Sequence, residues 1–320
     1  MRQLLVTGGS GFIGANFIRY VINKYPHYRV INYDKLTDAG NPENLKDLEQ
    51  SENYEFVHGD IDDIDKVIDV IRGCDAIINF AAASHADRAL KYGRDLLATN
   101  VVGTQTLLEA ARYVSCSRFI HISTDEVYGS ADKGSFKEND RLVPSSPYSA
   151  SKAAADLVCQ AYKTTYDIPI IITRSSNNFG PHQHPKKLIP LLITNALGDR
   201  SLPVYGDGKN VRDWIYVEDN CAAIDVVLHR GDVGGIYNIG SGNELENIQI
   251  ARKILEITGK PESLIEFVPD GRGHDRRYSI DSSLVRELGW KPEYAFEAAL
   301  EKTVIWYNEN KSWWRKVTQR

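Results

Sequence analysis

Two pairs of side chains in this sequence have types and spacings that suit acid–base chemistry. Tyr148 and Lys152 stand four residues apart, so they share one face of a helix that Pro147 can begin. A tyrosine has a pKa of ~10, too high for a base at neutral pH, and a nearby ammonium group lowers it. The same spacing occurs by chance on many helix surfaces, so the pair needs support from elsewhere in the chain.

The second pair, Asp125 and Glu126, follows Ser123 and Thr124 at the end of a predicted strand. Two neighbouring carboxyl groups can divide into an acid and a base when their environments differ. The alternative is a solvated acidic turn after the strand.

A glycine-rich segment provides the supporting pattern. Residues 7–14 read TGGSGFIG directly after a short apolar strand, and they open an amphipathic helix. In that position Gly8 permits a tight turn, Gly11 lets the backbone approach a pyrophosphate, and Gly14 allows helix and strand to pack closely. The segment therefore predicts a dinucleotide site at the N-terminus of the helix.

The residues after the next strands indicate which dinucleotide this is. Asp34 ends the second predicted strand, 20 residues after Gly14. A carboxylate there binds the ribose hydroxyls and repels a 2′-phosphate, which favours NAD over NADP. Lys35 weakens this argument slightly, and a helix-capping Asp is the alternative. We expect Asp60 and Ile61, at the end of the following strand, to flank the adenine. The positive charge of the nicotinamide, together with the Lys152 ammonium, is expected to lower the pKa of Tyr148.

Alternating strands and helices must hold these residues. Apolar runs predict strands at residues 4–6, 29–33, 54–58, 76–80, 118–123 and 168–173, and helical periodicity appears at 12–24, 64–71, 97–113 and 296–314. This alternation indicates an α/β fold with a Rossmann-like, doubly wound parallel sheet. Proline and glycine become frequent after about Arg174, which is typical of loops that build a pocket. We therefore predict an NAD-binding domain over residues 1–174 and a second lobe that builds a pocket over residues 175–320. The aromatic residues of the last helix are interpreted as packing residues: Trp306, Tyr307, Trp313 and Trp314.

Composition excludes several classes of function. The chain has 320 residues, of which 42% are hydrophobic and 25% charged, as is typical of globular proteins. Its net charge of −5 offers no electrostatic footprint for nucleic acid. The N-terminal apolar run is too short for a signal peptide, and no apolar run reaches the ~20 residues of a membrane span. The four cysteines are widely spaced: Cys74, Cys116, Cys159 and Cys221. This spacing predicts buried free thiols in a reducing cytoplasm and no metal site.

Longer motifs resemble the dTDP-glucose 4,6-dehydratase family, within the extended short-chain dehydrogenase/reductase superfamily. They are residues 123–129 (STDEVYG), 147–152 (PYSASK), 174–178 (RSSNN), 204–208 (VYGDG), 210–214 (NVRDW) and 273–278 (GHDRRY). The resemblance covers nearly the whole chain, and the acidic pair before VYG is its specific part, because epimerases and simple reductases usually lack it. It implies tightly held NAD and a homodimer formed through two helices per subunit. It also implies that the lobe over residues 175–320 is smaller and discontinuous and mainly binds a nucleotide sugar, with a segment near residues 211–239 that returns to the NAD-binding domain.

The reaction that the resemblance implies is a hydro-lyase reaction of deoxysugar (for example rhamnose) biosynthesis. dTDP-glucose is oxidised at C4, loses water across C5 and C6, and regains the hydride at C6 as dTDP-4-keto-6-deoxyglucose. The C4 ketone acidifies C5–H, so Glu126 can take that proton while Asp125 protonates the C6 hydroxyl. The implied catalytic residues are Thr124, Asp125, Glu126, Tyr148 and Lys152. The implied cofactor contacts are Gly8, Gly11, Phe12, Ile13, Gly14, Asp34, Lys35, Thr37, Asp60, Ile61, Ala81, Ala82, Thr99, Ser123, Tyr148, Lys152 and Asn178.

The substrate contacts are also implied by the resemblance. Among them, Arg212 is expected to pair with the diphosphate of the substrate through its planar guanidinium. The implied set is Ser84, Thr124, Asn177, Lys187, Leu188, Pro203, Tyr205, Arg212, Asn247, Asp270, His274 and Tyr278.

The chain departs from the family pattern in three segments. Residues 81–85 (AAASH), 184–190 (HPKKLIP) and 37–40 (TDAG) stand where the family usually reads AAESH, FPEKLIP and TYAG. Ala83 and Lys186 each replace an acid in a segment expected to face the hexose, so UDP-N-acetylglucosamine or another UDP-hexose stays open as the substrate. Two further alternatives are a 4-epimerase, which the acidic pair argues against, and a non-catalytic Rossmann sensor, which would predict a broken Tyr-x-x-x-Lys pattern.

Overall fold

The computed structural model describes residues 2–83, 93–114, 116–269 and 275–318. Seven parallel strands form its main sheet, in the order β10-β6-β5-β4-β1-β2-β3. These strands are β1 (Gln3–Thr7), β2 (Arg29–Asp34), β3 (Tyr54–His58), β4 (Ala76–Asn79), β5 (Arg118–Thr124), β6 (Ile170–Ser175) and β10 (Ile236–Ile239). The strand order reverses between β1 and β4, and ligands of doubly wound sheets bind at such a point. The predicted Rossmann-like sheet is therefore confirmed.

Helices within the described residues cover the sheet. They are α1 (Phe12–Lys24), α2 (Ile64–Ile71), α3 (Gly93–Leu97), α4 (Thr104–Ala111), α5 (Pro147–Tyr166) and α7 (Val217–Arg230). The predicted helix at residues 97–113 is instead α3 and α4 joined by a π-helical turn, Ala98–Gly103. Within that turn the side chain of Asn100 is almost fully buried and contacts Ala83 and Ser151, so a regular helical register gives way to these polar contacts.

The second lobe is built from short strands and its own helices. One sheet has the order β11-β9-β7, and a two-stranded parallel sheet pairs β12 with β8. The strands are β7 (Asn177–Phe179), β8 (Leu202–Tyr205), β9 (Val211–Tyr216), β11 (Glu244–Glu246) and β12 (Ile265–Val268). The helices are α6 (Leu188–Ala196), α8 (Asn247–Thr258), α9 (Ser283–Glu287), α10 (Phe296–Glu309) and α11 (Lys311–Thr318).

The segment at residues 211–239 contributes to both sheets. Its first strand, β9, pairs with β7 and β11, whereas β10 pairs with β6 at the edge of the main sheet. Between them α7 packs on α1, where Lys24 donates to Asp225 at 2.8 Å. The boundaries of the two predicted domains stay a prediction.

The C-terminal helical stretch differs from its prediction. A single helix over residues 296–314 was expected, but the chain breaks at Asn310, whose φ of −105° and ψ of 39° are not helical. The side-chain amide of Asn310 donates to the carbonyl oxygen of Trp306 at 2.9 Å and so competes with the backbone. The stretch therefore forms two helices, α10 and α11, separated at Asn310.

The hydrophobic core occupies both faces of the main sheet. Leu4 and Val6 belong to a cluster that extends through α1 and α7 into the second lobe, and Leu5 belongs to a second cluster on the opposite face. This alternation follows from the two-residue period of a strand buried on both sides. All four cysteines are buried and free, as predicted.

Candidate active site

A cavity of about 490 Å³ lies at the carboxyl ends of the central strands. All five predicted catalytic residues and all the predicted cofactor contacts line it. Of the predicted substrate contacts, the cavity wall includes Thr124, Asn177 and Lys187. The structure thus brings the glycine-rich segment, the acidic pair and the Tyr–Lys pair together at one site.

The glycine-rich segment has the close contacts that exclude larger residues. Gly8 has a φ of +66°, and a Cβ atom there would lie 2.6 Å from the backbone nitrogen of Ala81. A Cβ atom at Gly14 would lie 2.5 Å from the carbonyl oxygen of Gly8. The first turn of α1 therefore packs directly on the loop, and the free N–H groups of that turn face the cavity side where a pyrophosphate would bind.

Asp34 is held in place by the same loop. Its two carboxylate oxygens accept hydrogen bonds from the backbone N–H of Ser10, at 3.0 Å, and of Leu36, at 2.8 Å. Burial raises the pKa of this carboxyl group, while the two backbone donors oppose the rise. Lys35 donates to Asp60 at 3.0 Å, so an acid already compensates the lysine charge that could have favoured a 2′-phosphate. These contacts fit NAD, and the side-chain oxygens of Asn177 and Asn178 add buried acceptors that have no partner among the described residues.

The acidic pair begins a 3₁₀ turn, Asp125–Tyr128, directly after β5. Asp125 is only 3% exposed; its Oδ1 accepts from the Thr124 hydroxyl at 3.2 Å, and its buried Oδ2 has no partner in the described part of the chain. Burial, with the nearby charges of Glu126 and Asp213, raises the pKa of Asp125 well above its usual range. A carboxyl group of this kind is protonated under conditions in which an ordinary aspartate is ionised, so it can act as a general acid.

Glu126 lies close enough to three titratable groups to affect each of them. Its charge contributes to the raised pKa of Asp125, of Tyr148 and of Tyr278. The backbone N–H of Glu126 donates to the Thr124 hydroxyl oxygen at 3.3 Å, which fixes the turn. The acid and the carboxylate beside it are therefore held at one end of the cavity, next to the Tyr–Lys pair.

Tyr148 and Lys152 lie in the first turns of α5, as the sequence predicts. A capping box closes the helix start, with Ser146 and Ser149 each bonding the backbone N–H of the other. The joint effect of Lys152 and the nicotinamide charge on the pKa of Tyr148 stays a prediction. Among the protein groups, burial and the charges of Glu126 and Asp125 raise that pKa. The Lys152 ammonium donates to the carbonyl oxygen of Ile122 at 2.7 Å.

A buried ion pair lies one turn of α5 beyond Lys152. Arg174 Nε donates to Asp156 Oδ2 at 2.9 Å, and both side chains are at most 2% exposed. Burial lowers the pKa of Lys152, and the Asp156 charge one helical turn away opposes that effect. Sequence reasoning assigned Arg174 only to a family motif and did not find its partner; an arginine inside an apolar strand was the available signal, since such a charge needs a buried counter-ion.

Six of the nine predicted substrate contacts that the structure describes are not part of the cavity wall. The Arg212 guanidinium donates to the carbonyl oxygens of Val211 and Asp275 and lies 4.2 Å from the centre of the Tyr278 ring. It is thus occupied by protein groups, although its charge still acts on Asp125. The residues that do not line the cavity belong to other parts of the second lobe: Leu188, Pro203, Tyr205, Arg212, Asn247 and Tyr278. Ser84, Asp270 and His274 lie outside the described residues.

The two departures from the family pattern have different surroundings. Ala83 lines the cavity, and the side chain of Asn100 bonds both its N–H, at 2.8 Å, and its carbonyl oxygen, at 3.2 Å. Lys186 is exposed and is not part of the cavity wall, contrary to the expectation that its segment presents it to the hexose. The backbone N–H of Lys186 donates to His184 Nδ1, which turns the chain there.

Several lining residues were missed. His182, Gln183, Trp313 and Val317 contribute to the wall on the side of the glycine-rich segment. Only Trp313 was singled out from the sequence, and it was interpreted as a packing residue because aromatic residues at helical spacing usually are. No sequence signal connects a helix at the end of the chain with a loop at its beginning.

Comparison with known proteins agrees with this site. The family model described as GDP-mannose 4,6 dehydratase matches residues 5–303. The chain is 53% identical to the low-salt glycan biosynthesis protein Agl12 of Haloferax volcanii, over 95% of this chain and 98% of that protein. It is 46% identical to a dTDP-glucose 4,6-dehydratase of Streptomyces niveus, over 98% of this chain and 95% of that enzyme.

A solved structure extends the similarity to three dimensions. The dTDP-glucose 4,6-dehydratase DesIV of Streptomyces venezuelae, crystallised with NAD, superposes with a TM-score of 0.96 at 48% identity, covering 98% of this chain and 99% of that one. Within the described residues, no helix combines the length and apolarity that crossing a membrane requires. The chain belongs to the GDP-mannose 4,6 dehydratase family and, within it, to the group of dTDP-glucose 4,6-dehydratases.

Proposed function

We propose that this protein is an NAD-dependent hydro-lyase that converts dTDP-glucose to dTDP-4-keto-6-deoxyglucose. The observation that carries the proposal is the position of Asp125, a buried acid beside Glu126 in the cavity that also holds Tyr148 and Lys152; its raised pKa supports the same role. An epimerase needs the Tyr–Lys pair for oxidation but has no leaving hydroxyl to protonate. A protonated carboxyl group at this position is therefore explained by elimination of water.

The roles of the residues follow from their positions in the cavity. Tyr148 removes the proton of the C4 hydroxyl as a phenolate, a form that the positive charges of Lys152 and of bound NAD would favour against the effect of burial. The contact with Ile122 holds Lys152 in place. Glu126 removes the C5 proton once C4 is a ketone, and Asp125 protonates the departing C6 hydroxyl. Thr124 orients Asp125 through its hydroxyl. Bound NAD supplies the acceptor for the hydride from C4 and the donor that returns it to C6.

The cofactor is held by groups that the protein supplies at three points. The glycine-rich segment and the N-terminus of α1 bind the pyrophosphate, and Asp34 binds the adenosine ribose through oxygens that the loop already orients. Asn178 bonds the nicotinamide end, which would satisfy its buried side-chain oxygen. For the sugar nucleotide, Lys187 and Asn177 face the cavity, and Arg212 binds the diphosphate after exchanging its contact with Asp275.

Incubation of the purified protein with dTDP-glucose, UDP-glucose and UDP-N-acetylglucosamine, followed by NMR, tests this function. We expect a 4-keto-6-deoxy product from dTDP-glucose, with the C6 methyl signal as the marker. If only UDP-N-acetylglucosamine gives a 4-keto-6-deoxy product, the proposed substrate is wrong but the proposed reaction stands. If C4 is inverted without loss of water, the protein is an epimerase and the proposed reaction is wrong.

The change at residue 83 gives the same experiment a specificity control. Ala83→Glu restores the acid that the family usually has in the cavity wall, whereas Lys186→Glu restores the other acid at an exposed position. We expect Ala83→Glu to change relative kcat/KM among the three sugars and Lys186→Glu to leave it unchanged. Equal effects of both would place the determinant outside the described cavity.

The homodimer and the cytoplasmic location are part of this proposal. Large apolar side chains are exposed on and next to the adjoining helices α4 and α5, which supports a second copy as the partner there: Val102, Tyr113, Leu157 and Tyr166. Four free, buried thiols are consistent with a reducing compartment.

A further inference from the structure

The last helix of the described chain reaches across to the glycine-rich segment. Trp313 and Val317 of α11 line the cavity. The indole N–H of Trp313 donates to Asn44 Oδ1 at 3.0 Å, and the Asn44 amide donates to the carbonyl oxygen of Ser10 at 3.0 Å. Ser10 lies between Gly8 and Gly11, and its own N–H bonds Asp34. A chain of hydrogen bonds therefore runs from α11 through Asn44 to the glycine-rich segment and on to Asp34.

A second contact joins the same helix to another part of the wall. The His182 ring lies edge-on to the Trp306 and Trp313 rings, with centroids 4.7 and 5.6 Å away. His182 has a left-handed φ of 66°, which a residue other than glycine adopts only under constraint. Burial, together with the Arg19 charge, lowers the pKa of His182 to about 3, so the ring packs in its neutral form.

The neighbouring turn is fixed in the same way. The Tyr307 hydroxyl donates to the carbonyl oxygen of Gln183, and the Gln183 amide donates to the carbonyl oxygen of Asn178 at 2.8 Å. Gln183 lines the cavity, is 9% exposed, and has a side-chain oxygen with no partner in the described residues. The C-terminal helices thus hold two cavity walls that are otherwise separate loops.

We propose that Trp313 is a positioning residue for cofactor retention. Its hydrogen bond to Asn44, which in turn bonds Ser10, holds the glycine-rich segment in place and slows dissociation of the dinucleotide. This proposal rests on NAD as the cofactor. Asn44 is 2% exposed, so loss of the indole leaves its side-chain oxygen buried without a partner. The loop can recover a partner for that oxygen only by moving, and such movement opens the rim of the cavity.

The chain offers a matched control for this proposal. Trp314 is the next residue of α11; its indole N–H donates to the carbonyl oxygen of Tyr307 at 2.9 Å, and it does not line the cavity. Trp313→Phe and Trp314→Phe each remove one indole hydrogen bond from the same helix. Only the first removes a bond to the loop beside the glycine-rich segment.

The test measures NAD release without any sugar. Each variant is desalted, its remaining NAD is quantified, and the dissociation rate is followed by exchange against labelled NAD. We expect Trp313→Phe to release NAD roughly fivefold faster than the wild type, the loss of about one buried hydrogen bond. Trp314→Phe should lower Tm without changing the release rate.

A second variant tests the path. Asn44→Asp keeps an acceptor for Trp313 but removes the donor to Ser10, so it should also speed NAD release, and its combination with Trp313→Phe should be less than additive. Wild-type release rates in Trp313→Phe, equal rates in the two tryptophan variants, or full additivity would overturn the proposal. Because no sugar is present, these outcomes are independent of whether dTDP-glucose is the substrate.

Discussion

At the scale of single residues, Asp125 shows a conflict between stability and chemistry. A carboxyl group that is 3% exposed, with one oxygen unpartnered and Glu126 beside it, is a poor place for a negative charge. Its raised pKa means that folding favours the protonated form. The stability associated with this group is therefore present at low pH and is lost as the pH rises through the pKa of the folded state.

Replacing this acid should thus stabilise the protein while damaging its activity. Asp125→Asn keeps the shape without a titrating group, so its Tm should exceed that of the wild type by ~2 °C or more at pH 8 and by less at pH 5. Thermal unfolding at the two pH values measures the difference. Asp132→Asn, in an exposed loop, is the control. A gain that is equal at both pH values would contradict burial of a protonated Asp125.

Glu126 should be needed for elimination but not for oxidation. In Glu126→Gln the C5 proton has no base, so reduced cofactor should accumulate on the enzyme with dTDP-glucose while product formation falls about 10²–10⁴-fold. Stopped-flow absorbance of the reduced nicotinamide, with NMR of the product, separates the two steps. Full-rate product release by the variant would remove Glu126 from the mechanism.

Tyr148 should act one step earlier. Tyr148→Phe keeps the ring in its buried position but has no group to accept the C4 hydroxyl proton, so formation of reduced cofactor should fall about 10²–10⁴-fold. The same absorbance measurement checks this, and NAD content after desalting is the control for binding. If reduced cofactor forms at the wild-type rate, another group is the base.

At the scale of elements, the accuracy of the sequence predictions depended on how local the deciding interactions were. The bounds of α1 and α2 were predicted correctly, because a glycine-rich start and the N-cap Asp63 are local signals. The π-helical turn at Ala98–Gly103 was missed, since the burial of Asn100 depends on residues brought in from α5 and the end of β4. The break at Asn310 was missed because a single asparagine does not interrupt an apolar pattern.

The junction of β1 with α1 carries the element-scale prediction. Alanine normally favours a helix over glycine by ~1 kcal/mol. At Gly14, however, a Cβ atom would lie 2.5 Å from the Gly8 carbonyl oxygen and 2.8 Å from Gly9 Cα. Gly14→Ala should therefore destabilise the protein by about 1–3 kcal/mol and weaken NAD binding. Denaturant unfolding and NAD titration measure both effects.

An exposed glycine provides the comparison. Gly198 follows α6 away from the cavity, and a Cβ atom there would lie 3.3 Å from the Thr194 carbonyl oxygen. Gly198→Ala should leave NAD affinity unchanged. Wild-type NAD affinity in Gly14→Ala would show that the loop tolerates the extra carbon.

At the scale of the whole molecule, the sequence predicted the doubly wound sheet and the residues of one cavity, but not the second lobe. The main sheet follows from repeated apolar strands that each have a strong local pattern. The strands of the second lobe have three to six residues and pair across long stretches of chain, so no local pattern reports their partners. The same limit explains why Leu188, Pro203 and Asn247 were assigned to the site on resemblance alone.

The surface of the molecule carries the prediction on assembly. Leu157 on α5 is 59% exposed, and Leu284 on α9 is 42% exposed. If α4 and α5 form the dimer contact, Leu157→Arg should halve the mass measured by light scattering, because it buries a charge in an apolar interface. Leu284→Arg should leave that mass unchanged. A wild-type mass for the Leu157 variant would place the interface elsewhere.

The contact between Asn44 and Trp313 joins two segments that the ribosome makes at very different times. The two residues are 269 positions apart in the chain. Ribosomes add about 5–20 residues per second, so roughly 15–60 s pass between synthesis of the segment around Gly8 and synthesis of Trp313. A nascent chain can fold most of the parallel sheet in that interval, but it cannot yet close the rim of the cavity. If α11 slows release of the dinucleotide as proposed, its full retention requires that α11 has been translated.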